Sequence, residues 1–456
     1  MPGDAPFSIL QRELEKTPQD AALHRAMAQA KRARGDELGA LAHLIAARTL
    51  DQHRAGTLAD SALGLCQVAT GYFMKGEPGT AARWYQLVLA INPDLASAWQ
   101  NLASIHADAG RGIDADACRA RAYAIQRVFI ESAGTPVRRV LILCAGRSAG
   151  NVPVETLLPA DTCCRIKYAI DYAAPDEDDQ LPPYDLVFNA IGEPDVAAPL
   201  AGRLAHFARR CTRPLLNPPS AVARTARDCL PALLAGLDGV VLAPCIRCAR
   251  PPDTRAALAE RLAERLAERL AGAGLRLPLL ARPAASHGGA GLLRCDSIEA
   301  LAAALDAASG MQYLTNFVDT RDADGYYRKY RIIFIDGAPY PYHLAISTQW
   351  MVHYFSADMT ASAWKIDAER RFLDDPGAVL GARAMERLGA IGRRLGLHYG
   401  GIDFALLPDG RIFVFEANAT MLVHREREDG ALAHKNLPVQ RIVDAFERLQ
   451  ARMGGS

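Results

Sequence analysis

The first third of the chain repeats a pattern of small and apolar positions at helical spacing. Three stretches align, beginning at His24, Leu65 and Trp99. Each contains an alanine, a glycine seven residues later and a second alanine five residues after that. The three sets are Ala28, Gly35 and Ala40; Ala69, Gly76 and Ala81; and Ala103, Gly110 and Ala115. Such a period predicts pairs of antiparallel helices that approach closely at the alanines and turn at the glycines.

This pattern resembles the tetratricopeptide repeat. The third stretch follows the second by 34 residues and the second follows the first by 41, so an insertion is expected near residues 51–60. The resemblance implies an all-α module over residues 1–130 with a concave face for a peptide or protein partner. A generic helical bundle, or a surface used for homodimerisation, is the alternative.

Beyond residue 130 the pattern changes to apolar runs that alternate with helical stretches. After a linker at residues 131–139, the run VLILCAG at residues 140–146 predicts a buried strand that ends in a glycine-rich turn. Shorter strands and a helix near residues 199–210 follow. The order predicts a small α/β domain with a parallel sheet at residues 137–225. The turn lacks the full dinucleotide fingerprint, so NAD is not indicated.

One further stretch has strong helical periodicity. Leucine recurs every four residues at Leu258, Leu262, Leu266 and Leu270, with charged residues between. This spacing predicts an amphipathic helix over residues 255–271 that covers a core and has no chemical role.

Composition narrows the class of protein. A chain of 456 residues is expected to form two to four domains. Its 52 Lys and Arg against 51 Asp and Glu provide no general attraction to nucleic acid or to a membrane. The N-terminal stretch does not resemble a secretory signal and no apolar run reaches membrane-spanning length, so a cytoplasmic protein is expected. Among ten cysteines, Cys245 and Cys248 form a lone C-x-x-C, and reduced core cysteines are expected rather than a zinc site.

A glycine-rich hairpin is predicted at residues 278–295. An apolar strand ends at Arg282, a loop with three glycines follows, and a short strand returns. Glycines let backbone N–H groups approach phosphate oxygens, so such a loop can cover a triphosphate. A plain hairpin with a flexible tip is the alternative.

A second hairpin, with its turn at Asp336-Gly337, has cations at the start of its first strand. Arg328, Lys329 and Arg331 lie within four positions there. They would suit an anionic ligand, although a solvated sheet edge would have the same composition.

The strongest pattern lies near the C-terminus, where two strands join through a Pro-Asp-Gly turn. Asp403 lies in the first strand, and Glu416 and Asn418 lie two residues apart on one face of the second. Carboxylate and amide oxygens suit Mg²⁺, which completes its shell with water and phosphates. Two neighbouring carboxylates are also expected to raise the pKa of at least one of them. A charged strand pair without a metal is the alternative.

Together the three motifs closely resemble those of ATP-grasp enzymes, over residues 137–450. The resemblance implies a pre-domain, a lid subdomain at residues 226–315 and a catalytic subdomain at residues 316–450, with ATP and Mg²⁺ as cofactors. It implies that Asp403, Glu416 and Asn418 hold magnesium and that Arg282 and Arg331 are the catalytic arginines. The implied nucleotide contacts are Arg282, His287, Gly288, Gly289, Gly291, Thr315, Asn316, Phe317, Val318 and Arg331.

The chain departs from the family pattern at two lysine positions and at the hinge. Arg282 stands where the family has a lysine, and a second lysine segment reads Arg224 and Arg227. The hinge at residues 311–318 lacks the acidic residue that is usual near its start. Arginine keeps the positive charge, but its reach and geometry differ.

The resemblance implies an ATP-dependent carboxylate–amine or carboxylate–thiol ligase that acts through an acylphosphate. Its carboxylate and acceptor are expected to be a small metabolite or a peptide recruited by the repeat module. A kinase-like phosphotransferase and a nucleotide-binding adaptor without turnover are the alternatives. Substrate contacts are expected from His343, Ser347, Trp350 and His353, with His424 as a further candidate, and a structural role is the alternative for each.

Overall fold

The computed structural model describes residues 4–55, 61–147, 151–152, 154–249, 268, 270–286, 288–308 and 310–454. The chain divides into two compact units, residues 1–127 and 128–456. His287 and the helix predicted at residues 255–271, apart from residues 268, 270 and 271, lie outside the described residues.

The first unit is a stack of helical hairpins. Its helices are α1 (Asp4–Lys16), α2 (Ala21–Ala33), α3 (Glu37–Arg54), α4 (Ser61–Met74), α5 (Pro78–Ile91), α6 (Ala96–Asp108) and α7 (Gly112–Ile125). Helices α2 and α3, α4 and α5, and α6 and α7 pack as pairs, and each pair contacts the next. Gly35, Gly76 and Gly110 follow the first helix of each pair with φ of 79°, 78° and 73°, a conformation that suits glycine. The assignment to the tetratricopeptide family remains a prediction.

The described residues of the second unit form an α/β structure with three sheets. Its strands are β1 (Val128–Glu131), β2 (Arg138–Cys144), β3 (Cys163–Ala169), β4 (Leu186–Asn189), β5 (Leu215–Leu216), β6 (Val240–Val241), β7 (Cys245–Cys248), β8 (Leu279–Pro283), β9 (Leu293–Cys295), β10 (Gln312–Asn316), β11 (Tyr327–Ile335), β12 (Ala338–Ser347), β13 (Tyr399–Leu406) and β14 (Ile412–Asn418). Its helices are α8 (Val154–Leu157), α9 (Pro194–Ala197), α10 (Ala201–Arg210), α11 (Pro219–Ala223), α12 (Leu230–Leu233), α13 (Ile298–Ala307), α14 (Ala363–Asp374), α15 (Pro376–Leu380), α16 (Ala382–Leu395) and α17 (Asn436–Gly454).

The first sheet has the strand order β1-β3-β2-β4-β5 and is parallel except for β1. Strand β1 precedes the predicted domain start at residue 137, and its last residue falls in the predicted linker. It pairs antiparallel with β3, and Glu131 on β1 also forms ion pairs with Arg165 and Lys167 on β3. The sheet therefore begins earlier than the sequence indicated, because an exposed edge of β3 accepts these four residues.

The second sheet lies mostly in the predicted lid range and is called the lid sheet below. It has the order β7-β10-β8-β9 and is antiparallel throughout. Its own core includes Cys248, Leu279, Leu301 and Leu314. The C-terminal sheet has the order β12-β11-β13-β14-β6. Because β6 pairs with β14, residues 240–241 belong to the C-terminal sheet, although they fall within the predicted lid range.

The two faces of β11 and β13 are chemically different along their length. On one face Tyr330, Ile332 and Phe404 enter an apolar core with α14 and α16. The opposite face is apolar at Ile335, where it joins a core with α17. Toward Arg331 this second face becomes charged. Among the described helices, none is both long and apolar enough to cross a membrane.

Candidate functional site

A cavity of about 250 Å³ lies between the lid sheet and the C-terminal sheet. Apolar side chains such as Leu242, Leu280 and Phe413 line part of it. The charged side chains that line it are Arg227, Arg282, Lys329, Arg331, Asp403 and Glu416. Four cations and two carboxylates therefore converge on one partly apolar space.

Asp403 is paired within its own sheet. Its neighbours Ile402 and Phe404 point into the apolar core, so strand alternation turns Asp403 toward the cavity. Arg331, directly opposite on β11, donates from Nε to Oδ1 at 2.6 Å and from Nη2 to Oδ2 at 2.8 Å. Lys329 Nζ lies 3.2 Å from Oδ2. Burial disfavours the charged carboxylate, but the Arg331 and Lys329 cations outweigh it and lower the pKa of Asp403.

Glu416 lies opposite Asp403 on β14, but its partners come from outside the sheet. Its Oε2 accepts from Arg227 Nη2 at 2.6 Å and from Arg282 Nη1 at 3.1 Å. Burial and the nearby Asp403 raise the pKa of Glu416, but Arg227 and Arg282, together with Lys329, bring it down to about 2. The expectation that carboxylate repulsion raises one of the two pKa values is therefore wrong, because four cations outweigh it.

Arg227 was the least expected member of this site. The sequence marked it only as part of a segment that departs from the family pattern. Its neighbour Arg224 instead donates to the Leu395 carbonyl at 3.2 Å. Arg328, the first of the three cations on β11, pairs with Asp322 and Asp324. Only Lys329 and Arg331 of that group line the cavity.

Asn418 lies two residues beyond Glu416 on β14. It lies opposite Gly401, and its Oδ1 accepts from Thr420 N–H at 2.9 Å and Thr420 Oγ1 at 3.1 Å. The amide oxygen that was expected to bind metal is thus used by the turn after β14. It does not line the cavity beside Asp403 and Glu416.

The donor set fits magnesium that is shared with a phosphorylated ligand. Asp403 and Glu416 present hard oxygen donors on adjacent strands. Within the described residues, no group of three or more His, Cys, Asp and Glu side chains is arranged to hold an ion. Two protein carboxylates together with phosphate oxygens is the usual arrangement for Mg²⁺.

The glycine loop closes against the segment at residues 350–353. A Cβ on Gly288 would lie 3.3 Å from His353 Nε2, and one on Gly289 would lie 3.4 Å from Met351 Sδ. Gly291 is tighter, since its Cβ would lie 2.8 Å from Pro283 Cγ. At the base of the loop Arg282 donates to the Ser286 carbonyl at 2.6 Å. Gly291 is therefore the position of these three glycines at which a side chain would not fit without a shift of its neighbour.

The predicted adenine hinge also lines the cavity, at Thr315, Asn316, Phe317 and Val318. The Phe317 ring lies 4.3 Å from the Arg294 guanidinium and 5.6 Å from the Trp350 ring. The Phe317 N–H already donates to the Pro278 carbonyl at 2.9 Å.

The candidate substrate residues separate into two groups. Trp350 and His353 line the cavity. Burial, together with Lys329 and Arg331, lowers the pKa of His353 and favours its neutral form. The other three candidates do not line the cavity. His343 is buried against Tyr354, and Ser347 Oγ accepts from Gln349 N–H. His424 contacts Tyr342 and Glu426.

No protein-family model matches the chain, and no curated protein matches it. Many solved structures are similar to it at low sequence identity, and three of them serve as examples. D-alanine–D-alanine ligase from Bacillus anthracis complexed with ATP is 12% identical, and the match covers 69% of this chain and 99% of that chain with a TM-score of 0.39. VanG D-Ala:D-Ser ligase from Enterococcus faecalis is 12% identical, with 68% and 99% of the two chains covered and a TM-score of 0.40. D-alanyl-alanine synthetase A from Vibrio cholerae is 14% identical, with 70% and 100% covered and a TM-score of 0.41.

Proposed function

We propose that this chain is an ATP-dependent ligase of the ATP-grasp type, which joins a carboxylate to an amine or thiol. The observation that carries the proposal is the charge arrangement of the cavity: four cations against two opposed carboxylates. This excess of positive charge suits a polyphosphate, and the carboxylates suit the magnesium that accompanies it.

Nucleotide binding would exchange the partners of these groups. Phosphate oxygens would accept from Arg282, Arg331, Lys329 and Arg227, which now hold the carboxylates. Asp403 and Glu416 would then be available to magnesium. When bound, magnesium would offset the charge that develops during phosphoryl transfer. Asn418 would contribute only if its bonds to Thr420 were broken, so we assign the ion mainly to the two carboxylates.

The proposed reaction has two steps. A substrate carboxylate oxygen attacks the γ-phosphorus of ATP, and ADP leaves with the electrons of the broken bond. The amine or thiol then attacks the acyl carbon, and inorganic phosphate leaves with the electrons of the broken C–O bond and takes up the proton that the nucleophile releases. Arg282 and Arg331 hold phosphate oxygens, and the closed glycine loop excludes water from the acylphosphate. Trp350 and His353 are the proposed substrate contacts.

The helical unit is proposed to bind a peptide or protein partner, with homodimerisation as the alternative. Light scattering of the full chain separates these two roles, because a dimer has twice the mass of the monomer. A monomer that uses peptide acceptors more efficiently than the matching single amino acids would support recruitment. A dimer with no such preference would contradict it.

The reaction is tested by incubating the full chain with ATP, Mg²⁺, candidate carboxylates and hydroxylamine, followed by mass spectrometry. A ligase should release ADP and form a hydroxamate, since hydroxylamine intercepts the acylphosphate. A kinase-like enzyme would form a stable phosphorylated product and no hydroxamate. An adaptor would bind ATP and release no ADP.

A further inference from the structure

Asp195, on the short helix α9 that follows β4 of the first sheet, is bonded to three separate parts of the lid. Its Oδ1 accepts from Tyr313 Oη at 2.8 Å and forms an ion pair with Arg247 Nη2 at 3.1 Å. Arg247 also donates from Nε to Asp228 Oδ2 at 3.0 Å. Its Oδ2 accepts from the Ala285 N–H at 3.1 Å. The Asp195 side chain is only 7% exposed, whereas that of Arg247 is 34% exposed.

The three donors belong to the parts of the lid that enclose the cavity. Arg247 lies on β7 and Tyr313 on β10, and the Arg247 guanidinium also covers the Tyr313 ring at 5.2 Å. Ala285 begins the glycine loop, just before Ser286, whose carbonyl accepts from Arg282. One carboxylate outside the lid therefore holds two lid strands and the start of the loop that covers the cavity.

The Ala285 contact has an additional consequence for the loop. Ala285 has a φ of 55°, in the left-handed region that residues with a Cβ rarely adopt. The bond from its N–H to Asp195 stabilises this conformation, three residues before Gly288, which lines the cavity. Loss of the carboxylate would remove that support at the same time as the two side-chain bonds.

We infer that Asp195 is a positioning residue that latches the lid closed over the cavity. The latch rests on the contacts of Asp195 and does not depend on the proposed function. Its consequence for catalysis rests on the proposed function: an unlatched lid would admit water to the acylphosphate, and ATP would be consumed without ligation.

The direct test is hydrogen exchange of the full chain without nucleotide. In Asp195→Ala, amides at residues 279–286, 288–295 and 312–316 should exchange about tenfold faster or more, as loss of charge-assisted hydrogen bonds implies. The matched control is Asp179→Ala, which removes an exposed aspartate that pairs with Arg210 at 2.8 Å and has no lid contact among its bonds. It should leave lid exchange unchanged. Wild-type lid exchange in Asp195→Ala would overturn the latch.

A second variant covers the case in which Asp195→Ala loosens the whole unit. Tyr313→Phe removes only the hydroxyl that donates to Asp195 and leaves Asp195 itself unchanged. Faster exchange confined to the lid in this variant would support the latch, and no change in the lid would overturn it.

Turnover provides the readout that depends on the proposed function. Asp195→Ala should release more ADP per hydroxamate formed than the wild type, whereas Asp179→Ala should not. If Asp195→Ala speeds hydrogen exchange in the lid but neither the wild type nor any variant turns over ATP, the latch is supported and the ligase proposal is refuted. If the protein turns over ATP but Asp195→Ala leaves hydrogen exchange in the lid unchanged, the ligase proposal is supported and the latch is refuted.

Discussion

The two carboxylates of the site are opposite one another on adjacent strands, yet they are stabilised from different directions. Asp403 is held by Arg331 and Lys329, which lie on the neighbouring strand of its own sheet. Glu416 is held by Arg282 from the lid sheet and by Arg227 from the segment between α11 and α12. The Asp403 half is therefore complete once the C-terminal sheet has formed, whereas the Glu416 half also requires the lid to be in place.

The two carboxylates also differ in burial, and Asp403 is the more buried of the two. The Asp403 side chain is 2% exposed and that of Glu416 is 19% exposed. A cation removed from Asp403 leaves a charge in a dry environment, so it should cost folding stability. A cation removed from Glu416 leaves a charge nearer to solvent, so it should affect ligand binding more than folding.

The largest expected effect is on stability, from Arg331→Ala. Loss of the bidentate partner should lower the free energy of unfolding by about 3–5 kcal/mol, as in other buried ion pairs with one member removed. Arg328→Ala is the matched control on the same strand, because its partners Asp322 and Asp324 are more exposed. It should cost about 1 kcal/mol or less. Urea unfolding measures both, and equal losses would contradict the distinction.

The next effect is on binding, from Arg282→Ala. It should weaken ATP binding by roughly 2–4 kcal/mol, as loss of a charged partner in a desolvated site does. Its effect on unfolding should be smaller than that of Arg331→Ala, because Glu416 keeps Arg227 as a partner and is more exposed than Asp403. Arg282→Lys should retain most of the affinity because it keeps the charge. Calorimetric titration with ATP tests this, and unchanged affinity in Arg282→Ala would show that Arg282 does not bind phosphate.

The smallest effect is the acid dependence of stability. Because the pKa of Asp403 is lowered in the folded chain, its contribution is fully present above the ordinary aspartate value of about 3.9. It is lost as the pH falls through the lower folded value. Carbon-13 NMR of the aspartate carboxyl groups should therefore show the Asp403 signal, assigned by its absence in Asp403→Asn, unchanged from pH 7 to about 4. Titration of that signal above pH 5 would contradict the strong pairing.

Local sequence patterns predicted the strand pairing that carries the two carboxylates. Alternation and the Pro-Asp-Gly turn indicated the β13–β14 hairpin, and strand pairing places Asp403 opposite Glu416. The repeat glycines indicated the turns of the helical hairpins for the same local reason, since positive φ favours glycine.

Long-range contacts could not be predicted in this way. Arg227 reaches Glu416 across 189 positions of sequence, and Tyr313 reaches Asp195 across 118. No local periodicity encodes such distances. For this reason the two carboxylates were expected to repel one another, whereas cations from three other segments neutralise them. The use of the Asn418 oxygen by Thr420 also depends on the path of the chain after β14, which strand alternation does not specify.

The central claim is that the two opposed carboxylates hold magnesium together with ATP. The most direct measurement is the ATP affinity of the wild type and of Glu416→Gln by calorimetry, each with and without Mg²⁺. Magnesium should tighten wild-type binding by about tenfold or more, and Glu416→Gln should lose most of that gain while binding ATP alone at least as well. Asn418→Ala should lose less of the gain, because its oxygen already bonds to Thr420. An equal magnesium gain in the wild type and in Glu416→Gln would contradict the claim.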